Sequence, residues 1–131
     1  MRDGGLGVWL AIALGSAAGG VLRHALTEAV VRVVGGGFPW GTLLVNVVGS
    51  AAMGVAAALA GGPVPWPPAW RHAVMTGLLG GFTTFSAFSI QTVTLAEQGA
   101  WPAAAANVAV SVLTCVAACW AAFAAATALA R

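Results

Sequence analysis

Four long apolar stretches dominate the sequence and limit the folds open to it. They run from about residue 6 to 31, 40 to 60, 70 to 95 and 101 to 129, and a membrane-crossing helix needs roughly 20 mostly apolar residues. Short breaks rich in glycine or proline separate them. Only 6% of the residues are charged, against roughly 25% in soluble domains. The sequence therefore predicts an all-α integral membrane protein, with four transmembrane helices in a single membrane domain over residues 1–131.

The same composition argues against several functions. The five arginines form no basic stripe, so we expect no nucleic-acid partner. No Ser/His/Asp set, phosphate loop or metal-ligand cluster occurs, and we expect no enzyme. Cys115 and Cys119 lie four residues apart in an apolar segment. We interpret them as small buried helix residues, with a metal or redox pair as the alternative.

Residues 77–91, GLLGGFTTFSAFSIQ, are too polar for a simple membrane anchor. Polar groups at membrane depth are costly and usually mark a function. Gly80 and Gly81 followed by Thr83 and Thr84 predict that the third helix is broken here, which would expose backbone carbonyls. A small cation such as sodium could bind those oxygens, or Ser and Thr hydroxyls could satisfy a simple kink.

Three further features suit a small anion, and each also has a structural interpretation. Phe82, Phe85 and Phe88 are spaced three apart, so they form an aromatic stripe. Their positive ring edges could meet an anion, or the rings could serve packing. Asn46 offers two N–H donors to an anion or to a neighbouring helix. Arg23 could form an electropositive vestibule or extend to the headgroups.

The distribution of arginines bears on orientation in the membrane. With four spans, Arg2, Arg71 and Arg131 lie on one side, against Arg32 and, towards that end, Arg23. This difference is weak by the positive-inside rule, so we expect the chain to insert in both orientations. One small four-helix subunit has little interior for a pore, which favours a dimer with its site near the interface.

Several motifs together resemble one known family. GFTTFSAFS preceded by a glycine, GTLLVNVVGS in the second span, and Gly15, Gly19 and Arg23 in the first closely resemble the Fluc family of fluoride channels, also called CrcB. The resemblance covers essentially the whole chain. It implies an antiparallel, dual-topology homodimer in the bacterial inner membrane. Such a dimer carries fluoride passively through two narrow pores and so lowers the level of a toxic ion in the cytoplasm.

The resemblance also assigns roles to individual residues. It implies a fluoride path with two phenylalanines, one asparagine and two neighbouring hydroxyls, and these match Phe85, Phe88, Asn46, Thr84 and Ser86. In the fourth span the family lines its pore with polar residues. The candidates there are Asn107, Ser111, Thr114 and Cys115.

A structural sodium ion is the expected cofactor. Gly80 and Thr83 match the positions whose backbone carbonyls hold it in the family, and Arg23 matches the basic residue of the first span. Two positions depart from the pattern. Phe82 stands where a smaller aliphatic residue is frequent, which indicates packing, and Ala87 replaces a usual hydroxyl.

Other functions remain alternatives. A small dual-topology exporter of drugs or cations would normally need a carboxylate in mid-membrane, and none lies in the middle of a span. A noncatalytic subunit of a membrane complex would leave Asn46, Phe85 and Phe88 replaceable. Pairing with a paralogue, instead of a second copy, is a variant of the lead hypothesis.

Overall fold

A computed structural model describes residues 5–130, and this part of the chain is helical with no β-strand. The elements are α1 (Leu6–Val34), α2 (Trp40–Ala60), α3 (residues 68–82), α4 (Phe85–Glu97) and α5 (Trp101–Leu129). Four helical segments, counting α3 and α4 as one, are long and apolar enough to cross a membrane. This confirms the four predicted spans, although the first continues to Val34 and the third covers residues 68–97. Arg2 and Arg131, used above to compare the two sides, lie outside the described residues.

The third span changes its backbone geometry along its length. It begins at Pro68 with one α-helical turn, continues as a π-helix over His72–Leu79, and returns to α-helix at Gly80–Phe82. Thr83 (φ −80°, ψ 157°) and Thr84 (φ −150°, ψ 113°) are extended. The Thr84 hydroxyl accepts a hydrogen bond from the Ala87 amide over 3.1 Å, so it caps the N-terminus of α4.

Four glycines, named here the glycine seam, bring α1 and α3 into backbone contact. They are Gly15 and Gly19 on α1 and Gly77 and Gly81 on α3. A Cβ atom at Gly15 would lie 2.7 Å from the carbonyl oxygen of Ala73, and one at Gly81 would lie 2.5 Å from that of Ser16. Larger side chains are therefore excluded, as in other membrane helices that pack through small residues.

The helices α2 and α5 form the other extensive contact. Gly54 on α2 lies against the backbone carbonyl of Cys119 and leaves no space for a Cβ atom. Gly49 on α2 is equally close to the methyl group of Thr83. These contacts set α2 between α5 and the extended Thr83–Thr84 pair, where Val45 is fully buried.

The outer surface carries large apolar side chains. Trp9, Leu14, Leu113 and Trp120 each expose between 66% and 74% of their area. In water each would forgo a burial free energy of about 1.5–3 kcal/mol, whereas hydrocarbon solvates them well. The fold thus suits a membrane, in which these side chains face lipid or another protein.

Candidate functional site

The Asn46 side chain binds the extended backbone at Thr84 through two hydrogen bonds. Its Nδ2 donates to the Thr84 carbonyl oxygen over 3.0 Å, and its Oδ1 accepts from the Thr84 amide over 2.8 Å. The second bond requires an acceptor at Oδ1, so the orientation of the amide is fixed. One N–H of Asn46 remains for a further acceptor, because the carboxamide nitrogen carries two.

Hydroxyl groups surround the same backbone segment. The Thr84 and Ser86 hydroxyl oxygens lie 3.3 Å apart, and Thr84 is buried whereas Ser86 is exposed. Since the Thr84 oxygen already accepts from Ala87, its own hydrogen is free to donate. The Thr83 hydroxyl instead donates to the Leu79 carbonyl over 3.0 Å, which binds it to the preceding helix turn.

Phe85 and Phe88 lie next to each other, with ring centroids 5.2 Å apart and planes tilted by 49°. Their environments differ sharply, because Phe88 exposes 8% of its area and Phe85 exposes 76%. A tilted pair presents ring edges as well as faces, and the edges carry the positive end of the quadrupole. Phe82, predicted to be a packing residue, lies beside Gly49.

A groove of about 360 Å³ collects most residues predicted for the ion path. The predicted residues in its lining are Asn46, Thr84, Phe85, Phe88, Ser111 and Cys115. Thr114 is not among the lining residues; it is exposed and donates its hydroxyl to the Val110 carbonyl over 2.6 Å. Met53 and Cys119 also line the groove, and the sequence did not predict their presence there.

A second groove, of about 640 Å³, also borders the extended backbone at Thr84. Arg23, Ser86 and Gln91 line it, and Thr84 lines both grooves. Arg23 is half-buried and donates to the Thr83 carbonyl oxygen over 3.5 Å. The guanidinium therefore places a positive charge beside the extended pair.

Comparison with known proteins decides the family. The model of the family described as CrcB-like protein, Camphor Resistance (CrcB), matches residues 10–123. The chain belongs to the CrcB family. This confirms the resemblance predicted from the glycine and TTFS motifs.

Curated relatives of this CrcB-family chain carry one name. A protein of Paramagnetospirillum magneticum called "Fluoride-specific ion channel FluC" is 49% identical over 122 residues, which cover 92% of this chain and 95% of the relative. Proteins of the same name from Opitutus terrae and Rhodospirillum rubrum are 49% and 46% identical. These alignments cover 88% and 86% of this chain, and 89% and 88% of the relatives.

Behind the first groove, side chains connect α4 to α5. Asn107, 2% exposed, donates to the Thr92 hydroxyl over 2.8 Å and accepts from Ser111 over 3.4 Å. Thr92 in turn donates to the Phe88 carbonyl over 2.8 Å. The chain of bonds thus connects Ser111 in the groove wall with the backbone of Phe88.

Two features of the site could be anticipated only in part. The i,i+4 spacing of Asn107 and Ser111 indicated one polar face on an alanine-rich helix, but nothing in the sequence identified Thr92 as the partner. The side-chain oxygen of Gln91 is buried and has no hydrogen-bond partner in the described part of the chain. The residue ends the polar segment 77–91, but nothing in the sequence indicated that its oxygen would lack a partner.

Proposed function

We propose that this protein is a passive, fluoride-selective channel of the bacterial membrane that lets fluoride leave the cytoplasm. The observation that carries the proposal is the first groove, where Asn46, Thr84 and the two phenylalanines meet. The curated relatives named as fluoride-specific channels match this chain over most of its length. Passive conduction of an ion needs no catalytic group.

The chemistry of the groove suits a small, strongly hydrated anion. Fluoride must exchange water for other hydrogen-bond donors when it leaves solvent. The free N–H of Asn46 and the Thr84 hydroxyl supply such donors, both of them neutral, whereas the Ser111 hydroxyl donates to Asn107. A conducting site must release its ion as well as bind it, and neutral donors with aromatic edges bind less tightly than an arginine would.

Ser86 and Arg23 belong to the approach to this path. Both line the second groove, and Thr84 lines both grooves. The Arg23 charge would raise the local concentration of anions there, while its half-buried position keeps it outside the first groove. Thr114 is left out of the proposed path because it lines neither groove and its hydroxyl donates to the Val110 carbonyl.

The working unit is proposed to be an antiparallel homodimer of dual topology. Phe85 exposes 76% of its area, although it borders the groove, and a second copy would cover it. Small residues throughout the helices permit close packing of two copies. The weak difference in arginines between the two sides is compatible with insertion in both orientations.

A structural sodium ion is proposed at the break of the third helix, held by the carbonyls of Gly80 and Thr83. In a continuous helix the Thr84 amide would bond the Gly80 carbonyl, but here it donates to Asn46. Gly80 is exposed, so its carbonyl is available to a shared site between two copies. Arg23 uses one lone pair of the Thr83 oxygen over 3.5 Å, and a carbonyl has two.

Fluoride efflux from liposomes that contain purified protein tests the function, with chloride efflux as the control for selectivity. We expect fluoride to leave rapidly and chloride to stay. Phe85→Ile and Phe88→Ile should each reduce efflux strongly while the dimer persists on size-exclusion chromatography. Absence of fluoride efflux, or equal chloride efflux, would refute the proposal.

Replacing sodium by a large organic cation tests the metal site separately. Loss of the dimer or of efflux is expected, because unpaired carbonyls at membrane depth are costly. An intact dimer with unchanged efflux in sodium-free buffer would remove Gly80 and Thr83 from the proposal. That outcome would leave the fluoride path itself standing.

A further inference from the structure

Three sulfur-bearing side chains meet in the first groove. Cys115 and Cys119 on α5 line it together with Met53 on α2. A second contact places Met53 near Cys119, because the next residue, Gly54, lies directly against the Cys119 carbonyl. Met53 and Cys119 also line an adjoining apolar groove that continues towards Trp120. The three side chains therefore border one space from two helices.

The spacing of the two thiols disfavours a disulfide between them. Both cysteines are free and half-buried. Residues four apart on a helix share a face, with Cβ atoms about 5–6 Å apart, whereas a disulfide needs Cβ atoms about 3.5–4.5 Å apart. The helical spacing therefore disfavours a disulfide between the two cysteines, and both thiols stay available to a ligand in the groove.

The donor set selects a class of metal. Thiolate and thioether ligands favour soft cations such as Cu(I). The thioether of Met53 is the third sulfur that lines this groove. We propose that Cys115, Cys119 and Met53 form a binding site for a soft monovalent cation such as Cu(I), and that its occupancy closes the groove to anions.

The charge balance explains the closure. Binding breaks both S–H bonds, releases both protons to the buffer, and uses a sulfur lone pair from each thiolate and from the thioether. Two thiolate charges against one metal charge leave the occupied site with a net negative charge. In a groove of low dielectric constant that charge repels a passing anion strongly. Binding itself is independent of the proposed function, whereas closure rests on it.

Equilibrium dialysis of the purified protein against silver nitrate, followed by elemental analysis, tests the binding. Ag(I) is the probe because it is soft, monovalent and not oxidised under these conditions. We expect one silver ion per chain, no bound silver in the double variant Cys115→Ser/Cys119→Ser, and weaker binding in each single cysteine variant. Equal silver binding by the wild type and the double variant would overturn the site.

The thioether has a matched control in the same chain. Met53→Leu should lower the affinity for silver several-fold, whereas Met75→Leu removes a thioether from α3, away from this groove, and should leave the affinity unchanged. Equal affinities of Met53→Leu and wild type would overturn the role of Met53. Far-UV circular dichroism and size-exclusion chromatography verify that each variant is folded.

Fluoride efflux from liposomes in chloride-free buffer tests the closure. We expect silver to abolish most of the wild-type efflux, and the double cysteine variant to keep its own silver-free rate. Bound silver with unchanged efflux would overturn the closure. If the wild type passes no fluoride even without silver, the proposed function fails and the closure with it, while the dialysis still decides the metal site.

Discussion

The two halves of the third span are held in place in different ways. Before the break, α3 lies against α1 through the glycine seam, where backbone meets backbone and side chains are excluded. After the break, α4 is bonded to α5 by the side chains of Thr92 and Asn107. The first contact depends on shape and tolerates no added atom. The second depends on matched donors and acceptors, and it tolerates changes that keep or remove both partners.

Substitution in the glycine seam should have the largest effect. In Gly19→Ala the new Cβ would overlap the Leu78 carbonyl and lie 2.7 Å from the Phe82 amide. Such overpacking costs about 1–3 kcal/mol, sometimes more. We expect little monodisperse protein on size-exclusion chromatography in detergent.

Its neighbour provides the control. A Cβ at Gly20 meets nothing nearer than a guanidinium nitrogen of Arg23 at 4.0 Å, so Gly20→Ala should be folded like the wild type. Equal losses of monodisperse protein in Gly19→Ala and Gly20→Ala would show that the glycine seam does not depend on shape.

Asn46→Asp tests the group that joins α2 to the break. The carboxylate cannot donate to the Thr84 carbonyl, which then lacks the partner it has at 3.0 Å, at a cost of about 1–3 kcal/mol. Its negative charge would also repel an anion in the groove. We expect fluoride efflux to fall at least tenfold while folded protein is still recovered. Wild-type efflux in this variant would exclude Asn46 from the path.

Asn107→Leu should have an intermediate effect, and it should lower the stability of the fold more than the rate of fluoride efflux. It leaves Thr92 and Ser111 without a buried partner, again at about 1–3 kcal/mol, so the thermal unfolding midpoint in detergent should fall. Adding Thr92→Val should recover part of this loss, since removing both partners is nearly neutral. A further decrease equal to the sum of two independent losses would contradict the pairing.

The smallest effects should separate Ser111 from Thr114 on the same helix. Ser111→Ala removes a hydroxyl from the groove wall together with its bond to Asn107, and it should lower efflux a few-fold. Thr114→Val removes a hydroxyl that is exposed and already bonded to Val110, so efflux should stay near the wild-type rate. The reverse ranking, measured in the same liposome assay, would mean that α5 has a different rotation in the membrane.

How far the sequence predicted the site depends on the kind of contact. The family resemblance implied that Asn46, Phe85 and Phe88 share one path, whereas helical spacing alone left a packing role open for the rings. The spans followed from apolar length, because the hydrocarbon core sets that length. The family resemblance was confirmed independently by the match over residues 10–123.

The fourth span was harder to predict for a physical reason. Its rotation is set by the contact of Gly54 with Cys119, and an alanine-rich helix carries little periodic signal of the face it buries. Ser111 and Cys115 therefore could not be separated from Thr114 in advance. The contact of Arg23 with the Thr83 carbonyl could not be predicted either. It depends on how closely α1 approaches α3, and the glycine seam sets that distance only in the folded chain.

The π-helical stretch His72–Leu79 has a consequence for how this protein can vary in length. It contains Gly77 of the glycine seam and precedes Gly81 and Thr83, which must face α1 and α2. One inserted or deleted residue rotates everything that follows by a large part of a turn around the helix axis. Gly81 would then face away from Ser16, and Thr83 away from Arg23. Many substitutions in this stretch should therefore be tolerated, whereas insertions and deletions should not.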